Sequence, residues 1–160
     1  MNDNPTKADV ADSGGATIPK AASRPRVLII DDDQDVAEGT AEILAESGFL
    51  VKTALTAQQA VEAARHFDAQ IALVDMNLGH GGNGLNLIPA LRDLRPRLVT
   101  VVVSAYRSQP ALDAATRSGA HGYLHKPFFP RELFMVLDRS IERRRAQERT
   151  PHQAGTIQAA

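Results

Sequence analysis

The sequence predicts a doubly wound α/β domain built on a parallel sheet. Three observations carry this expectation. Short apolar runs alternate five times with segments of helical period. Most of the runs are apolar throughout, as strands covered on both faces must be. Four of them stop abruptly at chemically capable residues: Asp31, Asp75, Ser104 and Lys126. Strict strand–helix alternation implies parallel strands joined by right-handed crossovers, with ligands bound beyond the carboxyl ends of the strands.

Each element has its own signal. Val27 to Ile30 is a continuous apolar run ending at Asp31. From about Asp35 to Ser47, Val36, Thr40, Ile43 and Leu44 share one helical face, and Gly48 marks the stop. Leu50 to Ala54 alternates, as an edge strand does. Ala57 to His66 reads as a second helix, and Ile71 to Val74 as a strand ending at Asp75. A glycine-rich loop, Gly79 to Gly84, leads to a helix expected over Leu85 to Leu94, closed by Pro96. Leu98 to Val103 is the longest apolar run and ends at Ser104. Ser108 and Pro110 open a fourth helix that stops at Gly119. Gly122 to Leu124 is a brief strand before Lys126-Pro127. Pro130 opens the last helix, with Leu133, Val136, Leu137, Ser140 and Ile141 on one face.

Composition bounds the rest. The chain has 160 residues, 43% apolar and 23% charged, enough for one domain with a core. Residues 1–24 and 147–160 show no apolar period and are expected to be a disordered tail and a flexible tail around a domain at 25–146. The absence of cysteine excludes disulfides, a thiolate nucleophile and Cys-ligated metal centres. The net charge of −1 argues against a chain-wide nucleic-acid surface. No apolar run approaches the roughly 18 residues of a membrane span, and the acidic N-terminus is no secretory signal. A soluble, cytoplasmic protein without membrane contact is expected.

In a parallel sheet the four strand ends project from one edge. Asp31, Asp32 and Asp75 would then crowd together with Ser104 and Lys126. Carboxylates this close repel unless a cation neutralises them, and a hard divalent ion, Mg2+, suits oxygen ligands. The ammonium and hydroxyl beside them suit phosphoryl oxygens. The chemistry indicated is phosphoryl transfer to a carboxylate. Asp75 stands alone after the strand expected at the centre and is the candidate nucleophile.

VLIIDDDQDV, IALVDMNLGHGGNGLNLI, VVVSAY and GYLHKPF, in that order and spacing, resemble the receiver domain of bacterial two-component response regulators. The resemblance covers about residues 25–145. It implies a flavodoxin-like (βα)5 fold with strand order 2-1-3-4-5. It also implies that Asp75 is the phosphoacceptor, with Asp31, Asp32, Asp75 and the backbone carbonyl of Asn77 as Mg2+ ligands. Ser104 and Tyr123 resemble the switch pair, and Lys126-Pro127 the lysine with its often cis-bonded proline. Phosphate on Asp75 would draw Ser104 inward and let Tyr123 turn toward the interior. The implied partners are a sensor histidine kinase or histidine phosphotransfer protein and a downstream protein target. No direct nucleic-acid contact is implied, and there is room for a weak homodimer. A stand-alone receiver is expected, not an enzyme, acting as an output regulator, a relay intermediate or a phosphate sink.

The sequence departs from the family pattern at Gly79, where a proline is common, and in a loop before Gly84 that is one residue longer. Tyr106, a large residue two past Ser104, is expected with Asn77 to tune the lifetime of the phosphoryl group. Two other functions compete with this one. In a haloacid-dehalogenase-like phosphatase Asp31 would be the nucleophile and Asp33 the acid–base residue. Asp35 stands where that family wants Thr or Val, and no later acidic motif follows Lys126. A degenerate, phosphorylation-independent module is disfavoured by the complete residue set.

Asp33 and Asp35 read as helix-start acids, and a calcium loop is excluded by Val36 at its glycine position. The glycines from Gly79 to Gly84 lack the Gly-Lys-Ser/Thr of a phosphate cradle. His66, His80, His121, His125 and His152 lack metal-ligand spacing and are expected in solvent or loops. Arg139, Arg143, Arg144, Arg145 and Arg149 are interleaved with Glu142 and Glu148 and read as a solvated helix end or docking surface.

Overall fold

The computed structural model describes residues 23–150 and 157–159. Most of the expected N-terminal tail and His152 lie outside the described residues. Five strands form one parallel sheet: β1 (Arg26–Ile30), β2 (Leu50–Ala54), β3 (Ile71–Asp75), β4 (Val99–Ser104) and β5 (Gly122–His125), in the order β2-β1-β3-β4-β5. The helices are α1 (Gln34–Glu46), α2 (Ala57–His66), α3 (Leu87–Leu94), α4 (Gln109–Arg117) and α5 (Pro130–Arg149). This is the flavodoxin-like order implied above.

The alternation of strand side chains divides the core in two. Leu28, Ile30, Ala72, Val74, Val102 and Tyr123 face α2, α3 and α4. Val27, Ile29, Leu73, Val101, Val103 and Leu124 face α1 and α5. β1, β3 and β4 therefore need apolar residues at nearly every position, whereas β2 at the edge leaves Leu50 exposed.

Helix starts follow their side-chain caps. Asp33 accepts from the Val36 N–H, Thr56 from Gln59 and Ser108 from Ala111. The helix-start reading of Asp33 is thus borne out. The third helix begins later than expected. Gly84–Asn86 form a 3₁₀ turn, and α-helical geometry starts at Leu87. Pro89 is the cause, because its ring opposes the carbonyl four residues back and lacks an N–H, so Leu85 cannot join an α-helix. The last helix extends to Arg149, past the expected boundary. Arg144 reaches both Glu148 and the Arg97 carbonyl, which ties down its final turns. Residue 157, expected in a flexible tail, is instead buried: Ile157 is 2% exposed.

The expectation for His121 needs correction. This residue is buried just before β5, and its Nδ1 accepts the Thr100 N–H at 3.0 Å. Burial, followed by the charges of Arg92, Arg144 and Arg143, lowers its pKa to about 4. The folded value lies below the unfolded one, so the fold resists protonation of this ring. Its contribution is whole above pH 6.5 and fades as pH falls toward 4, by about 3 kcal/mol in all. His121→Asn keeps an acceptor for Thr100 but cannot titrate. Urea unfolding at pH 7 and pH 4.5 is expected to show the parent losing at least ~2 kcal/mol more than this variant.

Candidate active site at the carboxyl edge of the sheet

Parallel strands deliver their last residues to one rim. Asp31 and Asp32 follow β1, Asp75 and Ser104 end β3 and β4, and Lys126 follows β5. Lys126 crosses the rim, and its Nζ donates to Asp31 Oδ2 at 2.7 Å and to Asp75 Oδ2 at 2.8 Å. The other oxygens are held from the backbone. Asp31 Oδ1 accepts the Asp33 N–H and Asp75 Oδ1 accepts the Asn77 N–H, each at 2.9 Å. Asp31 and Asp75 are buried, while Asp32 is exposed.

Burial pushes the Asp75 carboxyl up, partly offset by the Lys126 hydrogen bond and the Asn77 N–H; the Asp31 charge adds to the rise. Burial alone would lower Lys126, but the hydrogen bonds and charges of Asp31 and Asp75 hold it above its ordinary value. Two buried carboxylates thus share one ammonium, with the exposed Asp32 carboxylate beside them. Oxygen atoms of Asp31, Asp32 and Asp75 lie within 4.8 Å of one another, a span one hard cation can bridge. The donor set fits a divalent ion.

The loop after β3 is shaped around this trio. Asn77 and Asn83 pair as an antiparallel bridge, with Gly79, His80 and Gly81 at positive φ between them. A Cβ on Gly79 would stand 2.6 Å from Asp32 Oδ2. The departure from the common proline therefore lets the loop approach the exposed carboxylate closely. Beside Asp32 a cleft of about 690 Å³ opens between Leu55, Thr56, the loop and Leu87.

Ser104 lies at the rim without bonding Asp75. Its Oγ accepts the Tyr106 N–H at 3.0 Å and faces Met76 Sδ at 3.6 Å. A thioether is a weak acceptor, so the hydroxyl proton is available to a better one. Tyr123 is fully buried, and its hydroxyl donates to the Tyr106 carbonyl at 2.8 Å. The inward turn expected to follow phosphorylation is already present in the unmodified chain. The Tyr106 side chain itself is exposed.

Sequence reasoning misses His125, expected in the loop, which instead ends β5. Its Nδ1 lies 3.1 Å from the same Tyr106 carbonyl, and its ring meets Tyr123 edge-on at 5.1 Å. A carbonyl only accepts, so Nδ1 carries the proton. The signal was its place two residues past Tyr123, on the same face of a strand. Also missed was Gly84, whose missing side chain admits the Asp75 carbonyl.

Comparison with known proteins agrees with this geometry. The profile of the response regulator receiver domain matches residues 27–138. The chain is 38% identical over 102 residues to a response regulator receiver protein of Anaeromyxobacter, covering 64% of this chain and 42% of that one. It is 33% identical over 111 residues to the photosynthetic apparatus regulatory protein RegA of Cereibacter sphaeroides, covering 69% and 60%. The chain thus spans about half the length of these curated relatives. Among solved structures, a CheY-like receiver domain protein of Methanospirillum hungatei superposes with a TM-score of 0.70 at 28% identity, over 78% of this chain and 99% of that one. A Burkholderia pseudomallei response regulator, solved with a phosphorylated aspartic acid, calcium ion and citrate, superposes at 0.69 and 29% identity, over 81% and 75%. No helix among the described residues is long and apolar enough to cross a membrane. The chain belongs to the response regulator receiver domain family.

Proposed function

We propose that this protein accepts a phosphoryl group on Asp75 from a phosphohistidine of a sensor kinase or phosphotransfer protein and relays the change to a protein target. A carboxylate oxygen of Asp75 bonds to phosphorus as the P–N bond breaks, and the departing imidazole keeps the electron pair and takes a proton. Asp75 becomes an acyl phosphate. The observation that carries the reading is the single Lys126 ammonium bonded to both Asp31 and Asp75.

Asp31, Asp32, Asp75 and the Asn77 carbonyl would hold Mg2+, which supplies charge neutralisation for the incoming phosphoryl oxygens. Lys126 exchanges its Asp75 contact for a phosphoryl oxygen. Ser104 leaves the Met76 sulfur for another of those oxygens. That motion pulls on the β4–α4 loop, whose Tyr106 carbonyl anchors Tyr123 and His125. Because Tyr123 is already inside, phosphorylation acts by holding this arrangement more tightly rather than by admitting the ring. A cytoplasmic location and a homodimer, if any, that is weak are part of the same reading. Arg139, Arg143, Arg144, Arg145 and Arg149, toward the end of α5, are read as a solvated helix end or docking surface rather than a nucleic-acid contact.

The test is chemical. Radiolabelled acetyl phosphate with Mg2+ is expected to label the protein, and peptide mapping to place the label on Asp75. Asp75→Asn abolishes it, and EDTA reduces it at least about tenfold. Label on Asp31, or multiple turnover of phosphate esters, would overturn the reading in favour of a phosphatase.

A further inference from the structure

β5 is the last strand of the sheet, so its outer edge presents backbone groups that β4 does not pair. The chain returns to that edge. Ala159 forms a parallel bridge with Tyr123, and Ile157 is buried while Gln158 and Ala159 are exposed. In extended backbone, residues two apart share a face. Ala159 sits opposite Tyr123, so Ile157 points to the same side of the sheet as the tyrosine ring. Both belong to one apolar cluster, with Ala115 and Ala120 and the partly buried Ala111 and Leu112.

That cluster is thinly covered near Tyr123. α4 contributes Ala115 as its buried residue, and the flanking positions of that helix are small or half-buried. A branched aliphatic side chain from outside the helix completes the packing. The same three residues thus do two things: they pair with the open strand edge, and they place an isoleucine in the cluster that encloses Tyr123.

We propose that residues 157–159 are an internal ligand of the β5 edge, holding Tyr123 inward and closing that edge to strand addition by another chain. The occupant is this chain's own segment. Any partner that pairs with β5 must present the same chemistry, an extended stretch with a branched aliphatic residue two positions before a small one, and must displace it. The inference rests on packing and pairing, and its test contains no phosphodonor, so it stands or falls separately from the phosphoryl reading.

Compare the full chain, a variant ending at residue 156, Ile157→Asp and the exposed-site control Gln158→Asp. Circular dichroism confirms that each is folded. Truncation is expected to speed hydrogen exchange at least about tenfold at the β5 amides facing away from β4, and to shift the Tyr123 ring signals in NMR. Ile157→Asp should behave likewise and Gln158→Asp like the parent. A synthetic peptide of residues 150–160 is expected to restore both signals in the truncated protein. It should bind the full chain at least about tenfold more weakly, since a tethered competitor acts at an effective concentration on the order of millimolar. Unchanged exchange and ring signals after truncation, or equal peptide binding by both proteins, would overturn the proposal.

Discussion

Lys126→Ala is expected to cost about 3 kcal/mol of stability at pH 7 in EDTA, measured by urea unfolding. The ammonium is the shared partner of two carboxylates that are each less than a tenth exposed. Removing it leaves two like charges facing each other in a poorly solvated rim. Breaking a buried pair by deleting one partner is far more damaging than never having built it. The deficit also has a pH signature. Burial already raises Asp75, and without Lys126 it rises further. A carboxyl whose folded value exceeds its unfolded one is favoured by protonation, so the stability of the variant falls as pH climbs from 4 to 7.

Two further arms decide the cause. Asp75→Asn removes one of the repelling charges, so it should recover part of the loss in the Lys126→Ala background. By itself it should leave stability equal or higher at pH 7. Millimolar Mg2+ should narrow the gap between parent and Lys126→Ala, because binding to the folded state stabilises it by mass action. A Lys126→Ala variant within about 0.5 kcal/mol of the parent would show that the rim is solvated well enough to need no ammonium.

The second large effect is expected at Gly84. A Cβ there would overlap the Asp75 carbonyl oxygen and sit 3.0 Å from Val74 Cγ1. The obstacle is backbone at the end of the central strand, which cannot rotate away as a side-chain tip can. Gly84→Ala is expected to lose about 3 kcal/mol, the upper part of the range for overpacking, in chemical denaturation. Gly81→Ala is the contrast. Open space surrounds that Cβ, and only its φ of 79° opposes it, so about 1 kcal/mol is expected. If Gly84→Ala were as mild as Gly81→Ala, the 3₁₀ turn would have to move freely from under β3. Acetyl phosphate labelling of Gly84→Ala should also fall, because displacing the Asp75 carbonyl tilts the side chain away from Lys126.

Asp31, Asp32, Asp75, Ser104 and Lys126 were legible because strand ends are legible. An apolar run must stop where the sheet stops being covered, and parallel strands all stop on one side. His121 was illegible for the opposite reason. A histidine just before a short, weakly patterned strand looks the same whether it faces solvent or accepts a backbone N–H from β4. The start of α3 was readable in principle, since Pro89 lacks the N–H that the Leu85 carbonyl would accept in an α-helix. The state of Tyr123 was not, because its position in the chain carries no information on whether the ring lies in or out.

By itself the sequence determined the order of strands and helices, the rim at which the acidic and basic residues meet, and the family those residues mark. The element order and the rim follow from local periodicity and from the polar residues that end four of the five strands, and the family follows from the resemblance of the motifs at those positions. The tertiary structure alone decided that one ammonium bridges Asp31 and Asp75, that Tyr123 is held inside by the Tyr106 carbonyl, and that Ile157 returns to β5. Each of those joins residues far apart in the chain, where distance and burial arise only from packing and no local pattern can encode them.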